Sequence, residues 1–186
     1  YLSRMLKLKP PIRKPVIVLL LALLPSFFLL TFKGKMTDVS ARAGSVTLVI
    51  DPGHGGIDGG AQGADGSRES DINLAIALKL RALAEFYGQD NIMTRQDDSS
   101  KSDTPSYSEH RDLECRTEIV NEAPNPVLIS IHQNCFPTGV PSGPQVMYAA
   151  TQDSEEFGKL MHGNLIRSLA PENRRVAEPA SKGLYI

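Results

Sequence analysis

The amino-acid sequence predicts an α/β fold: one three-layer α/β/α domain around a twisted, mostly parallel or mixed sheet, preceded by an apolar N-terminal helix. Two observations support this prediction. Short β-type runs alternate with longer segments of helical periodicity, which is typical of a sheet covered by helices on both faces. A length of 186 residues, of which 41% are hydrophobic, suits a single domain with its own core.

Periodicity and end signals place the individual elements. The predicted strands are residues 46–51, 91–94, 127–132 and 145–149, and the predicted helices are residues 71–87, 111–121 and 153–169. Each helix should bury an apolar stripe against the sheet. The expected stripes are Ile72, Ile76, Leu80 and Leu83; Leu113, Thr117 and Val120; and Phe157, Leu160, Met161, Leu165 and Leu169. Asp153 and Glu156 resemble a capping box at the start of the last helix.

The first 45 residues differ from the rest in charge. They contain eight Lys or Arg and one acid, which leaves 12 basic and 20 acidic residues for the remainder. We expect a basic cytoplasmic segment at residues 1–15, an uncleaved membrane-spanning helix at residues 16–32, a linker at residues 33–45 and the folded domain at residues 46–186. A cleaved signal peptide is the alternative. The acidic balance of the folded part argues against nucleic-acid binding.

Residues capable of metal chemistry stand at the ends of predicted elements. The segment Asp-Pro-Gly-His-Gly-Gly follows the first strand and presents His54, Glu69 precedes the first helix, and His132 ends the strand at 127–132. A dinucleotide loop is excluded because Asp58 occupies the third glycine position of that motif. Taken singly, Glu69 could serve only the helix N-terminus, and His132 could be a hydrogen-bonded core residue. Together they form the two-histidine, one-glutamate set of catalytic zinc sites.

Several short segments carry a family resemblance: Val-Ile-Asp-Pro-Gly-His-Gly-Gly at 49–56, Glu69, Met-Thr-Arg at 93–95, Arg116 with Asn121, and Ser-Ile-His-Gln-Asn at 130–134. Over residues 46–186 the chain resembles the zinc-dependent N-acetylmuramoyl-L-alanine amidases of the Amidase_3 type, and in particular their membrane-anchored, germination-specific spore-cortex members. The resemblance implies one Zn²⁺ per chain, held by His54, Glu69 and His132.

The same resemblance implies a substrate and a location. The reaction would be hydrolysis of the amide between N-acetylmuramic acid and the L-alanine of the peptidoglycan stem peptide. The catalytic domain would lie outside the cytoplasm, in the periplasm, the cell wall or the spore intermembrane space, and would be tethered to the membrane by residues 16–32. Whether a protein activator takes part stays open.

The family's general acid/base is a glutamate in a Val-Glu-x-Gly-Phe-like strand near the C-terminus, and the sequence contains no such segment. Glu172 and Glu178 lie in predicted loops, so neither is assigned the role, and the catalytic glutamate is expected beyond Ile186. If the natural protein ended at Ile186, we would expect zinc binding with little hydrolysis. Two alternatives therefore remain: a catalytically impaired, zinc- or muropeptide-binding regulatory protein, and another zinc amidohydrolase or peptidase.

Other polar residues have open assignments. Asn134 and Arg95 are candidate substrate-binding residues, although Arg95 could instead pair with an acidic neighbour such as Asp97. Asp51 could orient His54 or simply form a turn at the strand end. His110 and His162 are predicted to be solvated, and residues 96–100 are predicted to form a mobile loop.

Overall fold

The computed structural model describes residues 45–102, 107–133 and 143–181, all within one compact unit, Ala41–Ile186. The elements are β1 (Thr47–Pro52), α1 (Glu69–Phe86), β2 (Asn91–Met93), α2 (Glu109–Glu122), β3 (Pro126–Ile131), β4 (Met147–Tyr148), α3 (Gln152–Leu169) and β5 (Glu178–Pro179). Every predicted strand and helix is present, and the ends differ from the predicted ends by no more than two residues. β5 was not predicted.

β1 lies in the middle of a three-stranded parallel sheet with the order β2–β1–β3. It pairs with β2 from Leu48 to Ile50 and with β3 along its whole length, so that Pro52 stands opposite Ile131. Val49 and Ile50 are completely buried. Because the strands are parallel, their carboxyl ends meet at one edge, and the residues that follow β1 and β3 leave the sheet side by side.

Helices cover both faces of this sheet. Ile50 belongs to the core cluster with Ala77 of α1 and Met93 of β2. Its neighbour Asp51 forms an ion pair with Arg116 of α2. Successive strand residues point to opposite faces, so α1 and α2 lie on opposite sides of β1. The parallel α/β architecture predicted from the alternating pattern is therefore present in the described part of the chain.

The predicted inward face of α1 is largely wrong. Leu80 does pack partly against the core, but Ile72, Ile76 and Leu83 are exposed. The buried residues of this helix are Glu69, Ser70, Asn73, Ala77 and Ala84. The side of α1 that contacts the sheet thus carries small and polar side chains, several of which hydrogen-bond to the loop after β1.

The second helix also buries charge where apolar residues were expected. α2 buries Asp112 and Arg116, whereas Thr117 is exposed. The helix begins after Ser108, whose hydroxyl accepts a hydrogen bond from the backbone N–H of Arg111 at 3.3 Å. Leu113 and Val120 of the predicted stripe are partly buried. Periodicity did not indicate the most deeply buried residues of α2, because these are paired ions.

The last helix packs through its small residues. α3 buries Gly158 and His162, while Leu160 of the predicted stripe is 65% exposed. A Cβ on Gly158 would come within 2.9 Å of Tyr148 in β4, so only glycine allows this approach. His162 was predicted to be solvated; instead its Nε2 lies 2.9 Å from the carbonyl oxygen of Arg175. The N-cap is Thr151, which accepts from the N–H of Ser154, rather than the predicted capping box.

β4 and β5 form a separate two-stranded parallel pair. Met147 stands opposite Glu178, which corrects the prediction that Glu178 lies in a loop. Among the helices of the described residues, none is sufficiently long and apolar to cross a membrane. Residues 1–44, including the predicted anchor at residues 16–32, lie outside the described residues.

Candidate metal centre

The loop after β1 brings its backbone against His132. The N–H of Gly53 donates to the carbonyl oxygen of Ile131 at 3.0 Å, which continues the pairing of β1 with β3. A Cβ on Gly53 would overlap the imidazole of His132, so glycine is required here. The next residue, His54, has a φ of 61°, in the left-handed region that few non-glycine residues adopt. This turn directs the side chain of His54 towards α1 and β3.

The three predicted metal ligands converge at this edge of the sheet. His54 Nε2 and His132 Nδ1 each lie 3.2 Å from Glu69 Oε1. The two imidazole rings meet edge to face, with their centroids 4.9 Å apart. One ligand atom from each of the three residues lies within 4.8 Å of the other two. They come from the β1 loop, the first turn of α1 and the end of β3, so the sheet topology itself brings them together.

Glu69 is held in place by backbone donors. Its Oε2 accepts a hydrogen bond from the N–H of Ala61 at 3.0 Å, and its Oε1 accepts one from the N–H of Gln133 at 2.8 Å. Burial alone would raise the pKa of Glu69, but these hydrogen bonds and the nearby His54 outweigh it and lower the pKa below its ordinary value. The side chain is therefore an oriented carboxylate.

Asn73 lies one helical turn after Glu69 and is completely buried. Its amide nitrogen donates to the carbonyl oxygen of Gly53 at 3.2 Å, and its oxygen accepts from Gln133 Nε2 at 3.1 Å. Asn73 thereby connects the β1 loop to the segment after β3. The i, i+4 spacing from Glu69 was the available sequence signal for this residue.

Asp58 orients the opposite nitrogen of His54. Its Oδ2 lies 2.8 Å from His54 Nδ1 and accepts a hydrogen bond from the hydroxyl of Tyr107 at 3.2 Å. Burial raises the pKa of Tyr107 to about 12, with Asp58 contributing. Burial also acts to raise the pKa of Asp58, but hydrogen bonds from His54 and the N–H of Gly60 lower it overall. Sequence reasoning missed Asp58, although its position four residues after His54 was visible.

His132 is half-exposed, and burial together with the neighbouring His54 lowers its pKa below the ordinary value, against the opposing effect of Glu69. A lowered pKa favours the neutral imidazole, which is the form that binds metals. Beside the two histidines is a small cavity of about 60 Å³, lined in part by Tyr107 and Leu113.

Asp51 does not orient His54. It is 1% exposed and points to the other face of the sheet, where Oδ1 accepts from Arg116 and from the hydroxyl of Thr94, each at 2.6 Å. Its Oδ2 accepts from the hydroxyl of Ser130 at 2.7 Å. Burial alone would raise the pKa of Asp51, but Arg116 and these hydrogen bonds lower it. The alternative that Asp51 is a simple turn residue is equally wrong.

Arg95 is 1% exposed, and its guanidinium donates to backbone carbonyl oxygens. The acceptors are Pro52, Gly53 and Ser70, at 2.8, 3.0 and 2.9 Å, and Asp97 through its main chain. These hydrogen bonds hold the β1 loop against α1, and the substrate-binding role of Arg95 stays a prediction. Asn134, the other predicted substrate residue, lies outside the described residues.

The segment at residues 96–100, predicted to be a mobile loop, is tied to the β1 loop. Asp98 accepts from the N–H of Gly56 at 2.9 Å and from Arg68 at 3.1 Å. Arg68 in turn donates to the carbonyl oxygen of Gly56 at 2.9 Å. The loop thus belongs to the support of the metal centre.

Comparison with known proteins agrees with this geometry. The family model of the N-acetylmuramoyl-L-alanine amidases, Amidase_3, matches residues 48–186. The chain belongs to this family.

Three relatives show how far the likeness extends. The chain is 34% identical over 144 residues to the germination-specific N-acetylmuramoyl-L-alanine amidase of Bacillus subtilis, covering 75% of this chain and 60% of the relative. It is 36% identical over 117 residues to the amidase AmiA of Salmonella typhimurium, covering 62% and 37%. The CwlD amidase of Clostridioides difficile, solved in complex with the GerS lipoprotein, aligns with a TM-score of 0.68 and 38% identity over 73% of each chain. The chain therefore spans less than two thirds of the length of the Bacillus subtilis and Salmonella typhimurium relatives.

The ligand atoms of this amidase-family chain suit a zinc ion. Tetrahedral zinc with nitrogen and oxygen ligands at about 2.0–2.1 Å places neighbouring ligand atoms roughly 3.3 Å apart. Both histidine-to-Glu69 distances are 3.2 Å, close to that spacing. Two imidazoles and one carboxylate also match the donor set of catalytic zinc sites, which leave one position for water.

Proposed function

We propose that this protein is a zinc-dependent amidase that hydrolyses the bond between N-acetylmuramic acid and the L-alanine of the peptidoglycan stem peptide. The observation that supports this most directly is the convergence of His54, Glu69 and His132, whose ligand atoms lie within 4.8 Å of one another. Membership of the amidase family supplies the reaction and the substrate class.

The three ligands would hold one Zn²⁺ per chain. When bound, such an ion supplies Lewis acidity, which activates water near neutral pH and polarises the scissile carbonyl. Glu69 contributes the negative charge that offsets the cation, and its two backbone hydrogen bonds fix the position of its carboxylate. His54 and His132 contribute neutral nitrogen ligands, while Gly53 leaves the space in which the His132 ring sits.

Hydrolysis of an amide also requires an acid that protonates the leaving amine. The family resemblance gives this role to a glutamate in a Val-Glu-x-Gly-Phe-like strand, expected beyond Ile186. Glu172 and Glu178 are both exposed, and we assign the role to neither. The described residues thus supply the metal-binding half of the mechanism.

We further propose that the substrate is peptidoglycan of the spore cortex, met outside the cytoplasm, with residues 16–32 as the membrane tether. The likeness to a germination-specific amidase supports the cortex as the site of action. The related CwlD amidase was solved with a lipoprotein, which supports a protein partner of that kind here.

The test is digestion of purified spore-cortex peptidoglycan by the zinc-loaded protein, extended through the catalytic glutamate expected beyond Ile186, with His54→Ala as the inactive variant. His110→Ala is the matched control, because His110 lies on the exposed side of α2, with a side chain 74% exposed. Mass spectrometry and labelling of new amino ends should detect intact stem peptides beginning with a free L-alanine.

The alternatives give different products. Cleavage within the stem peptide would indicate a peptidase, and release of acetate would indicate a deacetylase. Zinc binding without any turnover would favour a regulatory protein that binds muropeptides. Each of these results would contradict the amidase proposal, as would equal activity of the His54→Ala and His110→Ala proteins.

A further inference from the structure

Asp58 and Tyr107 form a pair behind the metal-facing side of His54, and neither belongs to the ligand set. We propose that Asp58 is a positioning residue that directs His54 Nε2 to the metal, and that Tyr107 holds Asp58 in the required orientation. This inference rests on the proposed zinc function and assigns two further residues to the same site.

Asp58 is placed beside His54 by its own contacts. Its Oδ2 lies 2.8 Å from His54 Nδ1, on the side of the imidazole opposite to Glu69. The other oxygen, Oδ1, accepts from the N–H of Gly60 at 3.1 Å. The main chain of Asp58 exchanges two hydrogen bonds with Gly55, at 2.8 and 3.1 Å, which closes a tight turn directly after His54. Asp58 is therefore fixed through both its backbone and its side chain.

An ionised carboxylate only accepts hydrogen bonds. Carboxylates face both nitrogens of His54, but Asp58 lies 2.8 Å from Nδ1 whereas Glu69 lies 3.2 Å from Nε2, so we expect the proton of neutral His54 at Nδ1. Protonation at Nδ1 leaves the lone pair of Nε2 for coordination, and Nε2 is the nitrogen that faces Glu69. Metal-binding histidines commonly donate their other ring N–H to a carboxylate, which fixes both the tautomer and the ring orientation.

Tyr107 lies 49 residues further along the chain than Asp58. Its hydroxyl donates to the same Oδ2 that faces His54, so the carboxylate bridges the imidazole and the phenol. Because this hydroxyl stays protonated well above neutral pH, it remains a donor under working conditions. Tyr107 acts on the metal only through Asp58 and His54.

The experiment uses the full chain and measures zinc affinity by competition with a chromophoric chelator. Asp58→Asn keeps the size of the side chain but removes its charge, and Tyr107→Phe removes only the donor hydroxyl. We expect Asp58→Asn to weaken zinc binding roughly 10- to 100-fold and Tyr107→Phe to weaken it roughly 2- to 10-fold. The matched controls are Asp65→Asn, whose side chain accepts hydrogen bonds from Ser67, and the exposed Tyr87→Phe; both should bind zinc like the unmodified protein.

A spectroscopic readout separates positioning from general stability. Long-range proton–nitrogen correlation spectra of the metal-free protein report whether His54 Nδ1 carries a proton, with His54→Ala identifying the signal. We expect Nδ1 to be protonated in the unmodified protein and in Tyr107→Phe, and Nε2–H to appear in Asp58→Asn. If Asp58→Asn fails to fold, the zinc affinity of Tyr107→Phe and the spectrum of the unmodified protein still test the inference.

The outcomes are distinguishable. Absence of zinc binding by the unmodified protein would overturn the proposed function, and this inference with it. Normal zinc binding by the unmodified protein, with both variants within twofold of it, would overturn the inference and leave the proposed function standing. An unprotonated Nδ1 in the unmodified protein would also overturn the inference.

Discussion

Two groups of charged residues meet at the carboxyl end of β1, and they differ in how their charge is compensated. The buried ionic cluster, formed by Asp51, Asp112 and Arg116, lies on the side of the sheet that α2 covers. The candidate metal centre, formed by His54, Glu69 and His132, lies at the edge where the loop after β1 meets α1. Only two residues of sequence separate Asp51 from His54.

The buried ionic cluster is complete in itself. Arg116 is 2% exposed, and its Nη1 and Nε atoms each lie 2.6 Å from a carboxylate oxygen of Asp51 or Asp112. Burial acts to lower the pKa of Arg116, but the two carboxylates raise it overall. Donors and acceptors are thus matched within the chain. Such a cluster orders the fold and requires nothing from outside.

In the candidate metal centre, by contrast, the charges are not matched within the chain. Two imidazole nitrogens converge on one carboxylate, Asp58 adds a second carboxylate behind His54, and the His132 side chain is 40% exposed. The described residues place no Lys or Arg ion pair on Glu69 or Asp58. A cluster of charged side chains therefore does not by itself indicate a functional site. A cluster of carboxylates and imidazoles without a paired Lys or Arg does.

The largest expected effect comes from removing a ligand. His54→Ala or His132→Ala should abolish zinc retention through dialysis, because two remaining protein ligands cannot hold a catalytic zinc firmly. Metal content measured by atomic emission, one zinc per unmodified chain against none, checks this. The control is His110→Ala on the exposed side of α2. Equal zinc content in all of these proteins would remove the basis for the metal centre.

The next effect tests the buried ionic cluster. Arg116→Met should lower the free energy of unfolding by about 3–5 kcal/mol, because Asp51 and Asp112 would remain buried without a counter-charge. Urea unfolding followed by circular dichroism measures this. Arg111→Met, on the exposed side of the same helix, should unfold like the unmodified protein. If the two variants proved equally stable, the buried ionic cluster would have no structural importance.

A smaller effect is expected when Glu69 loses only its charge. Glu69→Gln keeps the length of the side chain but removes the negative charge that offsets the cation, so zinc affinity should fall at least as far as the roughly 10- to 100-fold expected for a residue that only orients a ligand. Competition with a chelator gives the affinity. Glu85→Gln, an exposed change near the other end of α1, is the control, and an unchanged affinity for Glu69→Gln would contradict the assignment of Glu69 as a ligand.

The smallest expected effect is a change in how the free energy of unfolding depends on pH. The folded protein holds the pKa of Asp51 below its ordinary value of 3.8, so ionised Asp51 favours the folded state. This stabilisation is fully present above the unfolded pKa and is lost as the pH falls through the lower folded pKa. The free energy of unfolding of Asp51→Asn should therefore fall less steeply than that of the unmodified protein below about pH 4. Parallel profiles for the two proteins would show that Asp51 does not contribute in this way.

The order of elements and the positions of the candidate ligands could be predicted from the sequence, because both depend on local signals. Glycines after an apolar strand predict a tight turn, and parallel strands bring their ends together, so His54 and His132 could be expected at one edge. That the three side chains converge agrees with the prediction, while their binding of zinc stays a prediction.

Asp58 and Asn73 had local sequence signals, but Tyr107 had none, because it meets Asp58 across 49 residues. The predicted inward faces of the helices were wrong in part for a related reason. Periodicity assumes that apolar side chains face the core, whereas α2 buries the ion pair of Asp112 with Arg116 and α3 buries Gly158 against Tyr148. Contacts with other elements of the fold therefore determine which face of each helix is buried.

Arg116 also reaches from one cluster to the other, since its guanidinium donates to the carbonyl oxygens of Pro52 and His54, at 3.0 and 2.8 Å. Loss of this arginine would shift the backbone that presents His54 as well as destabilise the core. A mutational scan scored on cell-wall digestion, the proposed activity, would accordingly rank Arg116 beside the proposed zinc ligands, although Arg116 is not itself one of them. A parallel scan scored on protein abundance would separate the two classes, because the ligand variants would remain abundant while Arg116 variants would be depleted.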